Sequence, residues 1–188
     1  PAICLQLLDL SNWKEDFRPL VFSQNLFWDA VDVEFNPSGN RLAIALNNQA
    51  DGSRMLLLVD LLKGSIARRI LLNPLATKVA FTPDSDLALI GNTTAQAGKD
   101  VLLHVALLDG SSLKIKWQKN LDQVRYNIGN ISDPNNPAAG HYLSPATVFS
   151  PDFGKLYVIP ADENRLVIVD FQRQTISDIA IQPHASLL

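Results

Sequence analysis

The residue types that ordinarily do chemistry are sparse in this chain. Three histidines, one cysteine and 19 acidic residues are spread over 188 positions. His104 interrupts the apolar run Val101-Leu102-Leu103-His104-Val105-Ala106, where a hydrogen-bonded core or edge histidine is the expected state. His141 stands beside Tyr142, eight residues after Asp133, in a stretch rich in Pro, Gly and Asn. One imidazole and one carboxylate fall short of the three or four converging ligands of a metal site. No metal and no cofactor is therefore expected, and His184, in the tail, is expected to be solvated.

Covalent catalysis needs a serine or cysteine held by a base that a third group orients. There is no Gly-x-Ser-x-Gly elbow, and Cys4 lies in an apolar segment where it packs as a small hydrophobe. Gly91 and Gly98 bracket a polar stretch with no Gly-Lys after it, so a phosphate loop is excluded. The carboxylates are scattered: Asp9, Asp60 and Asp170 each close an apolar run, which suits the bonding of turn amides better than acid–base work. Asp51-Gly52 and Asp109-Gly110 read as turns. What remains for binding is Arg125, Tyr126, Asp133, His141 and Tyr142 in one long polar insertion, together with Trp28 at the start of an apolar segment. Tyr and Arg are over-represented among the residues that dominate interfaces.

Composition narrows the classes further. With 16 basic against 19 acidic residues, a formal charge of −3 and 47% hydrophobic residues, the chain is neither a disordered tail nor a nucleic-acid arm. A single cysteine precludes a disulfide framework within the chain. No run approaches the ~20 apolar residues of a membrane helix. The first residue is Pro1, so the natural start and any signal peptide are expected to lie upstream.

The elements that must position these residues repeat. Phe35-Asn36-Pro37-Ser38-Gly39, Phe81-Thr82-Pro83-Asp84-Ser85 and Phe149-Ser150-Pro151-Asp152-Phe153 share an aromatic, a small polar residue, proline and a turn. Proline fixes φ and cannot donate to a ladder, so the strand stops there and a second one turns back against it. A third strand follows each hairpin (55–60, 101–106, 165–170), then a fourth (66–72, 113–117, 175–181). The chain start matches only the second half of this unit, with strands over 3–10 and 17–22. The predicted organisation is a half unit over 1–28, full units over 29–76, 77–121 and 146–182, and a tail over 183–188. Phe35 to Phe81 spans 46 residues and Phe81 to Phe149 spans 68, which places an insertion at 122–145.

At these residues the chain resembles β-propeller repeats. Phe149-Ser150-Pro151-Asp152 is similar to the second-strand start of WD-type repeats, although Val59-Asp60 and Val169-Asp170 stand where those repeats carry Trp-Asp. Leu156-Tyr157-Val158 through Asp170 resembles the Tyr-Val-Thr-Asn type found in lactonase-like and surface-layer propellers. The resemblance implies an all-β fold: a propeller segment of four-stranded antiparallel blades, about three complete and a half blade at the N-terminus. It also implies a non-enzymatic scaffold that binds a protein or ligand through blade loops. A lactonase-like or hydrolase-type enzyme with part of its site on further blades and a bacterial envelope or surface-layer propeller are the alternatives; the compartment is left open by the sequence, with a bacterial periplasmic or extracellular place favoured over the cytoplasm. Complete rings hold ~4–8 blades, so a terminal apolar face is expected to be open. At about 25 cal/mol per Å², leaving several hundred Å² of it in water forfeits on the order of 10 kcal/mol. The expected partners are therefore a protein, the remaining blades, or another copy through the open faces.

Overall fold

In the computed structural model the backbone is described for residues 3–5, 8–9, 14–15, 20–23, 28–48, 50–72, 75–93, 101–126, 146–160 and 164–181. All regular structure among them is β. Blade I is the meander β5 (Trp28–Phe35), β6 (Arg41–Asn48), β7 (Arg54–Asp60) and β8 (Ser65–Leu71). Blade II is β9 (Leu75–Phe81), β10 (Leu87–Asn92), β11 (Val101–Leu108) and β12 (Ile115–Tyr126). Blade III is β13 (Ala146–Phe149), β14 (Lys155–Ile159), β15 (Arg165–Asp170) and β16 (Thr175–Ala180). Ahead of them, β1 (Ile3–Leu5) pairs with β4 (Leu20–Ser23), and β2 (Leu8–Asp9) with β3 (Lys14–Glu15), each antiparallel. All-β, four-stranded antiparallel blades are thus what the chain forms.

The two middle strands of blades I and II are apolar at nearly every position because both faces of each sheet are covered. Ala43, Ala45, Leu56 and Leu58 of blade I pack on Val79, Phe81, Leu87 and Leu89 of blade II. On the opposite face of blade II, Ala88, Ile90, Val105 and Leu107 meet Leu156, Val158, Val169 and Phe171 of blade III. Trp117 meets Phe171 edge-on at 6.5 Å and packs against the core between blades II and III. Alternation with period two sends successive side chains of one strand to different interfaces.

Each blade has two tight turns at one end, which we term the turn face. In the first, the residue four after the recurring Phe adopts positive φ: Gly39 (67°), Ser85 (62°) and Phe153 (57°). In the second, an aspartate accepts the amide three residues on: Asp60 from Lys63 (3.0 Å), Asp109 from Ser112 (2.7 Å) and Asp170 from Arg173 (2.9 Å). The residue after that amide is again left-handed: Gly64, Leu113 and Gln174. Asp60 and Asp170 therefore do the turn-bonding work expected of them. Asp109, which reads in sequence as a plain Asp-Gly turn, is the blade II member of the set.

β12 differs from the predicted fourth strand. It continues to Tyr126, and the ladder to β11 shifts register between Leu103↔Leu121 and Leu102↔Arg125. Val124, in the bulged segment, is buried in the interface with blade III, and that apolar anchor holds the strand on course. Residues 122–126 thus belong to the strand, and the connection to blade III is shorter than the 122–145 stretch read from the sequence.

Polar bonds tie the blades at defined points. Arg41 donates from Nη1 to the Gly110 carbonyl at 2.9 Å, linking blade I to blade II at the turn face. Asp32, just past a bulge in β5, accepts the Val79 amide of β9 at 2.8 Å. Lys78, the residue three before its own Phe as Asp32 is, reaches the Thr147 carbonyl of β13 at 3.3 Å. The first strands are thus the ones that approach one another from blade to blade.

Two outcomes follow. A Cβ on Gly110 would lie 1.8 Å from the Ser85 carbonyl oxygen, so Gly110→Ala has to displace one turn against the other. It is expected to destabilise by about 1–3 kcal/mol in urea titration, the range for overpacking. The Ser111 and Ser112 hydroxyls and amides hold the Asp109 carboxyl far below the usual range. A depressed carboxyl pKa contributes stability above the unfolded value of ~3.9, and the contribution is lost as pH falls toward the folded value. Melting temperature should therefore drop below about pH 4, and less steeply in Asp109→Asn.

Candidate functional site

The other end of the blades, the loop face, carries the connections from second to third strand and from one blade to the next. Of the residues singled out for binding, Trp28, Arg125 and Tyr126 stand at this end. Trp28 opens β5 there, half-buried against the face formed by Leu42, Ile44 and Leu57. Arg125 and Tyr126 close β12, opposite Leu102 and Val101. At 12 residues, β12 is the longest strand, against 7 and 6 for its counterparts β8 and β16. It runs on past Leu121 toward this face. Asp133, His141 and Tyr142 belong to the connection from Tyr126 to Ala146 and lie outside the described residues, as does His184.

The polar groups of the loop face are not all satisfied. Asn47 Oδ1, Arg54 Nε and Asn92 Oδ1 are buried and accept or donate no hydrogen bond. Asn47 and Arg54 are cross-strand partners at the end of the β6–β7 ladder. Asn92 holds in β10 the place of Asn47 in β6, since both lie five residues beyond the leucine that pairs with the recurring Phe. Arg54 does donate from Nη1 to the Gly52 and Ser53 carbonyls, at 2.7 and 3.0 Å. Burial pushes its guanidinium below the usual value, and Asp51 opposes the shift. Native structures leave few buried polar atoms unpaired, and those that persist call for an explanation. Sequence reading missed these three; the signal was an amide recurring at one repeat position, Asn47 and Asn92.

The turn face is different. Asn36 donates from Nδ2 to Ser38 Oγ and Asn40 Oδ1, both at 2.8 Å, and accepts the Arg41 amide. Asp152 accepts from the Ser150 hydroxyl at 2.6 Å and the Gly154 amide at 3.0 Å, which depresses its carboxyl pKa. A cleft of about 360 Å³ opens here between blades II and III; both of its lysines are paired, Lys116 with Asp86 and Lys155 with Asp170, and Asp84 and Asp152 line it as well.

His104 is buried, with Nδ1 2.7 Å from Asn120 Oδ1, so it is the satisfied strand histidine expected. The amide oxygen can only accept, which makes Nδ1 the protonated nitrogen. Among the described residues no three His, Cys, Asp or Glu side chains are grouped to hold a metal ion. No helix among the described residues is long and apolar enough to cross a membrane.

Comparison with solved structures settles the architecture. The chain superposes on the hydrazine synthase of Kuenenia stuttgartiensis with TM-score 0.58 at 18% identity, covering 90% of this chain and 46% of that one. It matches the WD40 domain of Toxoplasma gondii coronin with TM-score 0.58 at 12% identity, covering 92% and 38%. The β-propeller domain of the trilobed protease of Pyrococcus furiosus, which has an open velcro topology, gives 0.56 at 14% identity, covering 95% and 49%. The chain is a β-propeller repeat protein. It matches no protein-family model and no curated protein. The propeller segment spans less than half the length of the solved chains above.

An unpaired acceptor in a blade interface costs stability that an apolar side chain of similar volume would not. Asn92→Leu is therefore expected to hold or raise the melting temperature by calorimetry, whereas Ile90→Asn, two residues earlier on the same face, should lower it.

Proposed function

We propose that this propeller segment is a non-enzymatic scaffold that binds a protein partner through its loop face. The observation that carries the reading is the contrast between its two ends. At the turn face, the Asn36, Asp109 and Asp152 side chains close their hydrogen bonds within their own turns. At the loop face, Asn47, Arg54 and Asn92 leave buried polar atoms unpaired. The extended β12 delivers Arg125 and Tyr126 to that same face and leads into the connection bearing Asp133, His141 and Tyr142. Rigid blades behind a binding surface reduce the ordering cost of binding.

Replacing Tyr126 and Tyr142 together with alanine should weaken capture of the partner by tenfold or more, about 1.4 kcal/mol, with circular dichroism and melting temperature unchanged. Unaltered capture would refute the loop-face assignment. Lactone hydrolysis abolished by His141→Ala or Asp133→Ala would replace the scaffold reading with the lactonase-like one.

A further inference from the structure

The two joints between blades differ at their outer strands. Where blade I meets blade II, Ile70 of β8 and Leu72 after it pack against the shared core. Where blade II meets blade III, the corresponding residues of β12 are Lys119 and Leu121. Lys119 pairs with Val105 as Ile70 pairs with Leu56, and each partner lies four residues before its turn aspartate, Asp109 or Asp60. On the third strands, Met55, His104 and Arg165 are equivalent, each five residues before that aspartate. The fold therefore does not itself require a cation at either place, yet the joint between blades II and III carries one at both.

A groove of about 210 Å³ lies there, with Lys119, Leu121, Val124, Arg165, Val167 and Ile176 in its lining. It adjoins the edge strands of both sheets, β12 and β16. Residues 122–124 of β12 are inserted between the ladder partners of Leu103 and Leu102, and such a bulge bends its strand and re-aims side chains. The Arg165 side chain is only 14% exposed, and it pairs at 3.9 Å with Asp178, which is 65% exposed. Lys119 has no ion-pair partner among the described residues. Two cations and four aliphatic side chains thus share one groove, in a chain whose formal charge is −3.

We propose that this groove receives an extended segment of a partner protein in which an aliphatic residue is flanked by aspartate or glutamate. The aliphatic side chain packs on Leu121, Val124, Val167 and Ile176, and the flanking carboxylates approach the Lys119 ammonium and the Arg165 guanidinium. Charge complementarity sets the acidic flanks, and a guanidinium with five donors serves more than one acceptor. Size sets the rest: the groove is smaller than the ~300–1,000 Å³ of sites that bury a drug-sized ligand, which suits one side chain of a longer segment. The inference goes beyond the loop-face role, since it uses none of Tyr126, Asp133, His141 and Tyr142.

The test is titration of the isotope-labelled 188-residue chain with a pentapeptide carrying leucine between two aspartates, read by amide chemical shifts and by anisotropy of the fluorescein-labelled peptide. Shifts are expected at 119–124, 165–167 and 176. Alanine in place of the leucine, or lysines in place of the aspartates, should weaken binding about tenfold. Lys119→Glu, at an exposed position, should weaken the aspartate peptide and strengthen the lysine-flanked one, and Ile176→Ser should weaken the aspartate peptide about threefold. Circular dichroism verifies folding, and Tyr126→Ala with Tyr142→Ala should leave the affinity unchanged. No binding to the folded chain, shifts confined to other surfaces, or equal binding of the alanine peptide would overturn the proposal. So would 4-methylpentanoate binding as tightly as the peptide, because the occupant would then be a small carboxylate.

Discussion

A twisted four-stranded sheet that is apolar on both faces has to be covered twice. Everything else in this structure depends on that constraint. Blade II satisfies it fully, with blade I on one side and blade III on the other, and its middle strands are made chiefly of Leu, Ile, Val and Ala as a result. The requirement also explains why the polar bonds between blades are few and sit at the margins of the sheets, at Arg41, Asp32 and Lys78. The apolar neighbours inside the interfaces offer no hydrogen bond, and a polar group without a partner there costs more than it contributes.

The turns set how the blades are presented. Two turn types recur in each blade, each with one left-handed residue, and only in blade I is that residue glycine in both. Ser85, Leu113, Phe153 and Gln174 take the same conformation at a steric cost of about 1 kcal/mol apiece. Flanking bonds hold them there, notably the aspartate carboxylates at the second turns. The turn face thus closes side-chain hydrogen bonds within its own turns, whereas the loop face retains unpaired polar atoms on Asn47, Arg54 and Asn92.

Repeat, strand order and the all-β class were legible because Phe-x-Pro and the apolar periods are local signals. His104 was legible too, since an imidazole in an apolar strand must find a partner and Asn120 lies beside it in the ladder. The end of β12 was not. Polar residues such as Asp122, Gln123 and Asn127 look like a loop, and it is Val124, gripped between blades II and III, that keeps the strand going. Asp109 was hidden in the same way, as its partners Ser111 and Ser112 mark a turn by themselves and the aspartate's place in the repeat emerges only from strand register.

By itself the sequence determined the blade: four strands, their order, the turn positions and the faces that must be buried, because backbone geometry and period-two alternation act over a few residues. Only the tertiary structure decided which of those faces found a neighbour, which amides at the loop face lost their partners, and how far β12 runs. These depend on contacts between segments 47 to 69 residues apart, as at Asp32 with Val79 and at Arg41 with Gly110. No local pattern encodes the distance between such groups.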